Sequence, residues 1–60
     1  MIIVKELDVV ELKDGREATV LEVCDEGKAF LVEIVDDDGK TLEMPIIKAE
    51  DIVRIIWEKH

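Results

Sequence analysis

The sequence has few of the side chains that enzymes use as nucleophiles or proton carriers. It contains no serine or tyrosine, one cysteine (Cys24) and one histidine (His60, the last residue). A single cysteine excludes an intrachain disulfide and a multi-cysteine zinc site, and no internal histidine is available to activate the Cys24 thiol. We therefore predict a protein that is not an enzyme and that has no metal and no cofactor.

Positive charge is scarce as well. Eight Lys and Arg residues stand against sixteen Asp and Glu residues, which gives a net charge of −8 at pH 7. This charge repels a phosphate backbone and an anionic lipid surface, so nucleic acid and a membrane are unfavourable partners. The opening "MIIVKELD" lacks the basic leader and cleavage site of a signal peptide, and no apolar run approaches the roughly 20 residues of a membrane span. These features predict a cytoplasmic protein.

Glycine occurs only three times, and each glycine lies in a turn signal. The signals are "KDGR" at residues 13–16, "DEGK" at 25–28 and "DDDGK" at 36–40. The segments beside them, "DVVEL", "ATVLEVC", "AFLVEIV" and "TLEMPII", are short and rich in residues that favour strands. We predict one domain over residues 1–60, built on an antiparallel meander.

Alternation along the third strand predicts its buried face. The even-numbered side chains from Phe30 to Ile34 share one side, which we predict to face the core, while Leu31, Glu33 and Val35 share the other. In the fourth strand the even-numbered residues are again apolar. Pairing even with even sets Ile34 opposite Leu42, Val32 opposite Met44 and Phe30 opposite Ile46.

This register leaves Asp37, Asp38 and Gly39 as a three-residue loop, with Gly39 in the left-handed position that such a loop requires. The second hairpin has no simple register that turns both Val20 and Val23 inward. A bulge near Leu21 or Glu22 would resolve this conflict.

The segment "KAEDIVRIIWEKH" fits either a short helix or a strand. Its β-branched run from Ile52 to Ile56 favours a strand, preceded by one tight turn around residues 49–51. The predicted fold is therefore all-β, a small SH3-like barrel of about five antiparallel strands with a short 3-10 turn before the last strand. A twisted open sheet with a C-terminal helix is the alternative.

Three stretches, "ELDVVELKDGREATVLEV", "GKAFLVEIVDDDGKTLEM" and "IKAEDIVRI", resemble a family of small bacterial proteins known as domain of unknown function 4926. The resemblance covers residues 7–55 and implies an SH3-like barrel, but its motifs are structural and name no active site. Here the loop after the first strand is shorter than in many members, and Glu17 and Ala18 stand where a glycine is usual. Some members resemble small partners of neighbouring toxin-like proteins, which implies an antitoxin- or immunity-like inhibitor or an accessory subunit.

The aspartate run before Gly39 raises the question of a calcium loop. With Gly39 at position six of such a loop, Ile34 falls at position one and Pro45 at position twelve, where acidic ligands are needed. A solvated turn fits better. Because alternate turns of a meander lie at the same end, we expect Asp14 to join Asp36, Asp37 and Asp38 in one acidic rim, with Arg16 and Lys40 as local counterions.

A second candidate surface lies on the outward side of the sheet. The predicted register places Glu33 opposite Glu43, with Leu31 beside them, as an acidic stripe that would meet Lys or Arg of a partner. The alternative is a face that serves solubility only. Leu31, Val35, Ile56 and Trp57 are candidate apolar contacts, unless Trp57 folds back over the barrel mouth.

The sequence thus favours a protein-interaction module. The hypothesis is an unidentified, basic protein partner bound through Asp14, Leu31, Glu33, Val35, Asp36, Asp37, Asp38, Glu43 and Trp57, with a weak homodimer as a further expectation. The second hypothesis is a nucleic-acid- or ribosome-associated domain, since SH3-like folds often serve such sites, but the chain lacks a basic stripe and stacking aromatics.

Overall fold

The structure, a computed structural model, describes residues 3–35 and 38–58. In these ranges the chain forms six strands and two 3-10 turns. In chain order they are β1 (Val9–Leu12), β2 (Glu17–Cys24), a first 3-10 turn (Asp25–Gly27), β3 (Ala29–Val35), β4 (Thr41–Glu43), β5 (Ile46–Lys48), a second 3-10 turn (Ala49–Asp51) and β6 (Ile52–Trp57).

The strands form one antiparallel sheet in the order β4-β3-β2-β1-β6, with β5 also paired to β3. The last strand therefore returns to pair with the first, as in an SH3-like barrel, and the predicted all-β fold with a 3-10 turn before the last strand is confirmed. The predicted fourth strand is divided into β4 and β5 around Pro45, which has no N–H to donate to a ladder. Its carbonyl still accepts a hydrogen bond from the Val32 N–H at 3.0 Å.

The pairing of β2 with β3 is interrupted at one position. Val20 lies opposite Val32 and Glu22 opposite Leu31, so the register shifts at Leu21. This is the predicted bulge. It leaves Val20 fully buried, whereas Val23 stays partly exposed, so the bulge turns only one of the two valines inward.

The pairing of β3 with β4 and β5 corrects the predicted register. Val35 lies opposite Thr41, as predicted, but Ile34 lies opposite Glu43. The shift leaves Leu42 as one additional residue in β4, and every later pair is displaced by one. Phe30 consequently lies opposite Ile47, not Ile46.

Such a displacement exchanges the two faces of the strand, because side chains alternate with a period of two. Ile47 packs against the core, whereas Met44 and Ile46 are 58% and 69% exposed. The prediction that Met44 and Ile46 face the core is therefore wrong. Gly39, with φ of +83°, does occupy the left-handed region.

The core lies inside the curved sheet and takes at least one apolar side chain from β1, β2, β3 and β6. The even-numbered residues of β3 are buried as predicted. The core comprises Val4, Val10, Leu12, Ala18, Val20, Phe30, Val32, Ile34 and Ile52.

The segment before β1 adds a feature that sequence reasoning missed. Asp8 is fully buried, and its Oδ2 accepts a hydrogen bond from the Lys5 backbone N–H at 2.9 Å. Leu7, in the left-handed region with φ of +70°, donates its N–H to the Val20 carbonyl at 2.7 Å, and the Val20 N–H donates to the Asp8 carbonyl at 2.9 Å. These bonds attach the segment to β2. Within the described ranges, no helix is long and apolar enough to cross a membrane.

Candidate functional site

The acidic rim is organised by Arg16, which follows the turn between β1 and β2. Its Nε donates to Asp14 Oδ2 at 2.7 Å, and its backbone N–H donates to Asp14 Oδ1 at 3.0 Å. Its Nη1 donates to Glu43 Oε1 at 2.7 Å. Arg16 is thus the predicted counterion of Asp14, but it also joins that turn to β4, a contact that the sequence did not indicate.

These contacts shift the pKa values of Asp14 and Arg16. The pKa of Asp14 lies below its usual value, chiefly because its carboxylate accepts the backbone N–H of Arg16 and further because it accepts the guanidinium N–H. The pKa of Arg16 is raised, first by its hydrogen bond to Glu43 and then by the one to Asp14. All three side chains are exposed, so salt screens their attraction. Both shifts favour the charged forms of Asp14 and Arg16.

The other members of the predicted rim, Asp36, Asp37 and Asp38, belong to the third turn. Asp38 is exposed, while Asp36 and Asp37 lie outside the described residues. The end of β3 does meet the first turn, because Val35 lines a shallow cavity together with Gly15, Arg16 and Glu17. This neighbourhood supports the predicted placement of the first and third turns at one end of the sheet.

The predicted opposition of Glu33 and Glu43 is wrong. Glu33 lies opposite Thr19 of β2, and Glu43 lies opposite Ile34, because the additional residue Leu42 displaces the register. The carboxylate of Glu43 is bound by Arg16. Glu33 and Glu43 are therefore not directly opposed.

A different set of side chains forms the outer face, defined here as Glu22, Leu31, Glu33 and Ile46. Leu31 lies opposite Glu22 of β2 on one side and opposite Ile46 of β5 on the other. Directly opposed residues share a face of a sheet. Leu31 is half-buried, Glu22 is exposed and Ile46 is largely exposed. The outer face therefore joins apolar and acidic side chains, and Ile46 is the member that the predicted register had assigned to the core.

The apolar candidates of the last strand lie farther round the sheet. Trp57 is 53% exposed and lies opposite Val9 of β1. Its place at the end of β6 does not bring it next to Leu31, since β1 and β2 lie between the two strands. The sequence-predicted residues thus fall into three places: the acidic rim, the outer face and the β6 edge.

Groups with catalytic or metal-binding potential are dispersed. Among the described residues, no three His, Cys, Asp or Glu side chains are placed to hold a metal ion. Cys24 is half-buried at the end of β2, with its Sγ 4.0 Å from the Glu22 carbonyl oxygen. At the far end, a shallow cavity is lined by both lysines and acids, including Lys28, Lys48 and Glu50. The charges there are mixed and exposed.

Comparison with known proteins gives one match. A family model described as "Domain of unknown function (DUF4926)" matches residues 2–54. No curated protein and no solved structure matches the chain.

Proposed function

Because the chain belongs to the family described as domain of unknown function DUF4926, whose description names no activity, we propose a function from the chemistry of its surface. The protein acts as a cytoplasmic, non-enzymatic protein-interaction module that binds a basic protein partner. An antitoxin- or immunity-like inhibitor, or an accessory subunit, is the form of this role that we favour. The partner meets the outer face, with the acidic rim beside it.

The observation that carries the proposal is the composition of the outer face. Ile46 is 69% exposed and lies opposite Leu31, which in turn lies opposite the exposed Glu22. Exposed apolar groups beside charges are the composition expected of a protein interface, with a desolvated centre and a polar surround. A face that served solubility alone would have no need of an exposed isoleucine beside Leu31.

The negative net charge of the molecule supports the proposal that the partner is basic. With −8 on 60 residues, the chain attracts basic surfaces over a distance and repels acidic ones. Three described acids flank the apolar centre or lie at the adjacent end: Glu22, Glu33 and Asp14. These acids would attract lysine or arginine side chains of the partner, and salt would slow the association.

The test is affinity capture from a lysate of the native host with the full chain as bait, compared with Glu33→Lys and Ile46→Lys variants. We expect a basic protein to be retained at low salt, to elute as salt is raised, and to be lost with both variants. Glu26→Lys is the matched control, since Glu26 is exposed in the first 3-10 turn at the other end of β3 and should retain the partner.

Two outcomes would contradict the proposal. One is a bait that emerges without any protein partner at low salt. The other is capture of RNA with a steep salt dependence, which would favour the nucleic-acid-binding hypothesis instead. Circular dichroism of each variant establishes that a lost partner reflects the surface and not an unfolded chain.

A further inference from the structure

The sheet ends in two edges of unlike construction. One edge consists of β4 and β5, which have three residues each and are separated by Met44 and Pro45. The other edge is β6, with six residues and neither proline nor glycine. Short strands and proline block edge-to-edge pairing, whereas a continuous strand leaves a row of backbone donors and acceptors available. Within the described ranges, β6 has a strand neighbour, β1, on one side only.

The sequence of β6, "IVRIIW", is apolar except for Arg54. Val53 is 51% exposed, and Ile56 and Trp57 are exposed as well. The register between β1 and β6 shifts twice, so Val53 and Ile56 are additional residues of bulges. Bulges twist a strand and disfavour the open-ended stacking that a flat edge would allow, but they leave a short stretch free to pair.

Electrostatics distinguishes this edge from the rest of the surface. Arg54 Nε lies 2.7 Å from Glu11 Oε1, and Lys5 Nζ lies 3.8 Å from Glu58 Oε2. The charges on β6 and directly after it, at Arg54 and Glu58, are thus paired within the chain, although the molecule as a whole carries −8. A basic partner gains little at a locally neutral strand. Two copies of an acidic chain meet there with the least mutual repulsion.

We infer that β6 is a self-association edge, where it pairs in antiparallel fashion with β6 of a second copy of this chain. A two-fold axis through Ile55 gives a register in which no like charges of the strand are opposed. It sets Val53 opposite Trp57 of the second copy and Arg54 opposite Ile56, so that the two arginines are not opposed. Because the pairing is isologous, it uses both β6 edges and closes at a dimer.

The edge is small, so the dimer is weak and forms at high protein concentration. Raising the salt concentration strengthens it, because salt screens the repulsion between two acidic chains and leaves the apolar contact in place. This dependence is opposite to that of the proposed basic partner, whose binding salt weakens. Self-association through β6 is independent of that proposed function.

The experiment is sedimentation velocity of the full chain from micromolar to millimolar concentration, at low and high salt. We expect a monomer–dimer equilibrium that shifts toward dimer as salt is raised. Val53→Lys should weaken dimerisation by about tenfold or more, equivalent to about 1.4 kcal/mol. Ile46→Lys is the matched control, because it places the same charge on the opposite, proline-interrupted edge and should leave the dimer unchanged.

A measurement on the unaltered chain removes any dependence on variant folding. Backbone amide shifts followed against protein concentration should change along residues 52–57 and remain constant along β4 and β5. A chain that stays monomeric to millimolar concentration at high salt overturns the inference. So does a dimer that Ile46→Lys abolishes and Val53→Lys does not, or concentration-dependent shifts confined to residues outside β6.

Discussion

The two faces of β3 differ in burial and in the kinds of side chain that they carry. On the inner face, Phe30, Val32 and Ile34 are buried and form the centre of the core. On the outer face, Leu31 and Glu33 are half-buried. The difference arises only from the alternation of side chains along a strand. It teaches that adjacent residues of this strand have separate structural roles, since the inner face forms the core and the outer face lies at the surface.

The inner face should show the largest effect when it is truncated. Phe30→Ala removes a buried aromatic side chain and leaves a cavity, a change that costs about 3 to 5 kcal/mol. A chain of this size has a total stability of about 3 to 5 kcal/mol, so we expect the variant to be largely unfolded in thermal and urea melts. Leu31→Ala, one residue away on the outer face, is the matched control and should cost about 1 kcal/mol or less. Equal losses in the two variants would contradict the distinction between the faces.

Asp8 sharpens the comparison, because it is a buried residue whose role is not apolar packing. Asp8→Ala removes the acceptor of the Lys5 N–H, and we expect a loss of about 1 to 3 kcal/mol of stability. Asp8→Asn keeps an oxygen at that position and should lose less. Urea denaturation of both variants measures the difference. Equal losses of stability in the two variants would show that the hydrogen bond from the Lys5 N–H does not stabilise the buried Asp8 side chain.

The smallest effect is expected at the acidic rim, where the side chains are exposed. The pKa of Asp14 is lowered in the folded state, so its contribution to stability is present above the unfolded pKa of about 3.9. It is lost as the pH falls through the lower, folded value. The loss should be slight, because Arg16 and Asp14 meet in solvent.

A carbon NMR titration of the Asp14 carboxyl group measures this pKa. In Arg16→Gln the value should rise, but it should stay below that of an unstructured aspartate, because glutamine keeps the backbone N–H that is the leading cause of the shift. Lys13→Gln removes a positive charge from the same turn, without an ion pair to Asp14, and serves as the control. A fully normal Asp14 titration in Arg16→Gln would show that the guanidinium, and not the backbone, sets the shift.

Local patterns were sufficient for much of the fold. The three glycine turns, the core face of β3, the bulge at Leu21 and the strand that follows the Ala49–Asp51 turn all depend on residues close together in the chain. The site was less predictable. Arg16 could be placed beside Asp14 from their spacing, but its contact with Glu43 spans 27 positions.

The sequence by itself determined the strand-rich architecture, the position of each turn and the acidic surface, because alternation, glycine placement and net charge are properties of neighbouring residues or of composition. Only the tertiary structure decided that one additional residue in β4 turns Ile46 outward and Ile47 inward, and that Asp8 is buried. A bulge depends on how two strands fit around a shared core, and a buried carboxylate depends on a donor supplied by the folded backbone. The additional residue in β4 and the burial of Asp8 are not encoded in a local pattern, and the first of them placed Ile46 on the outer face.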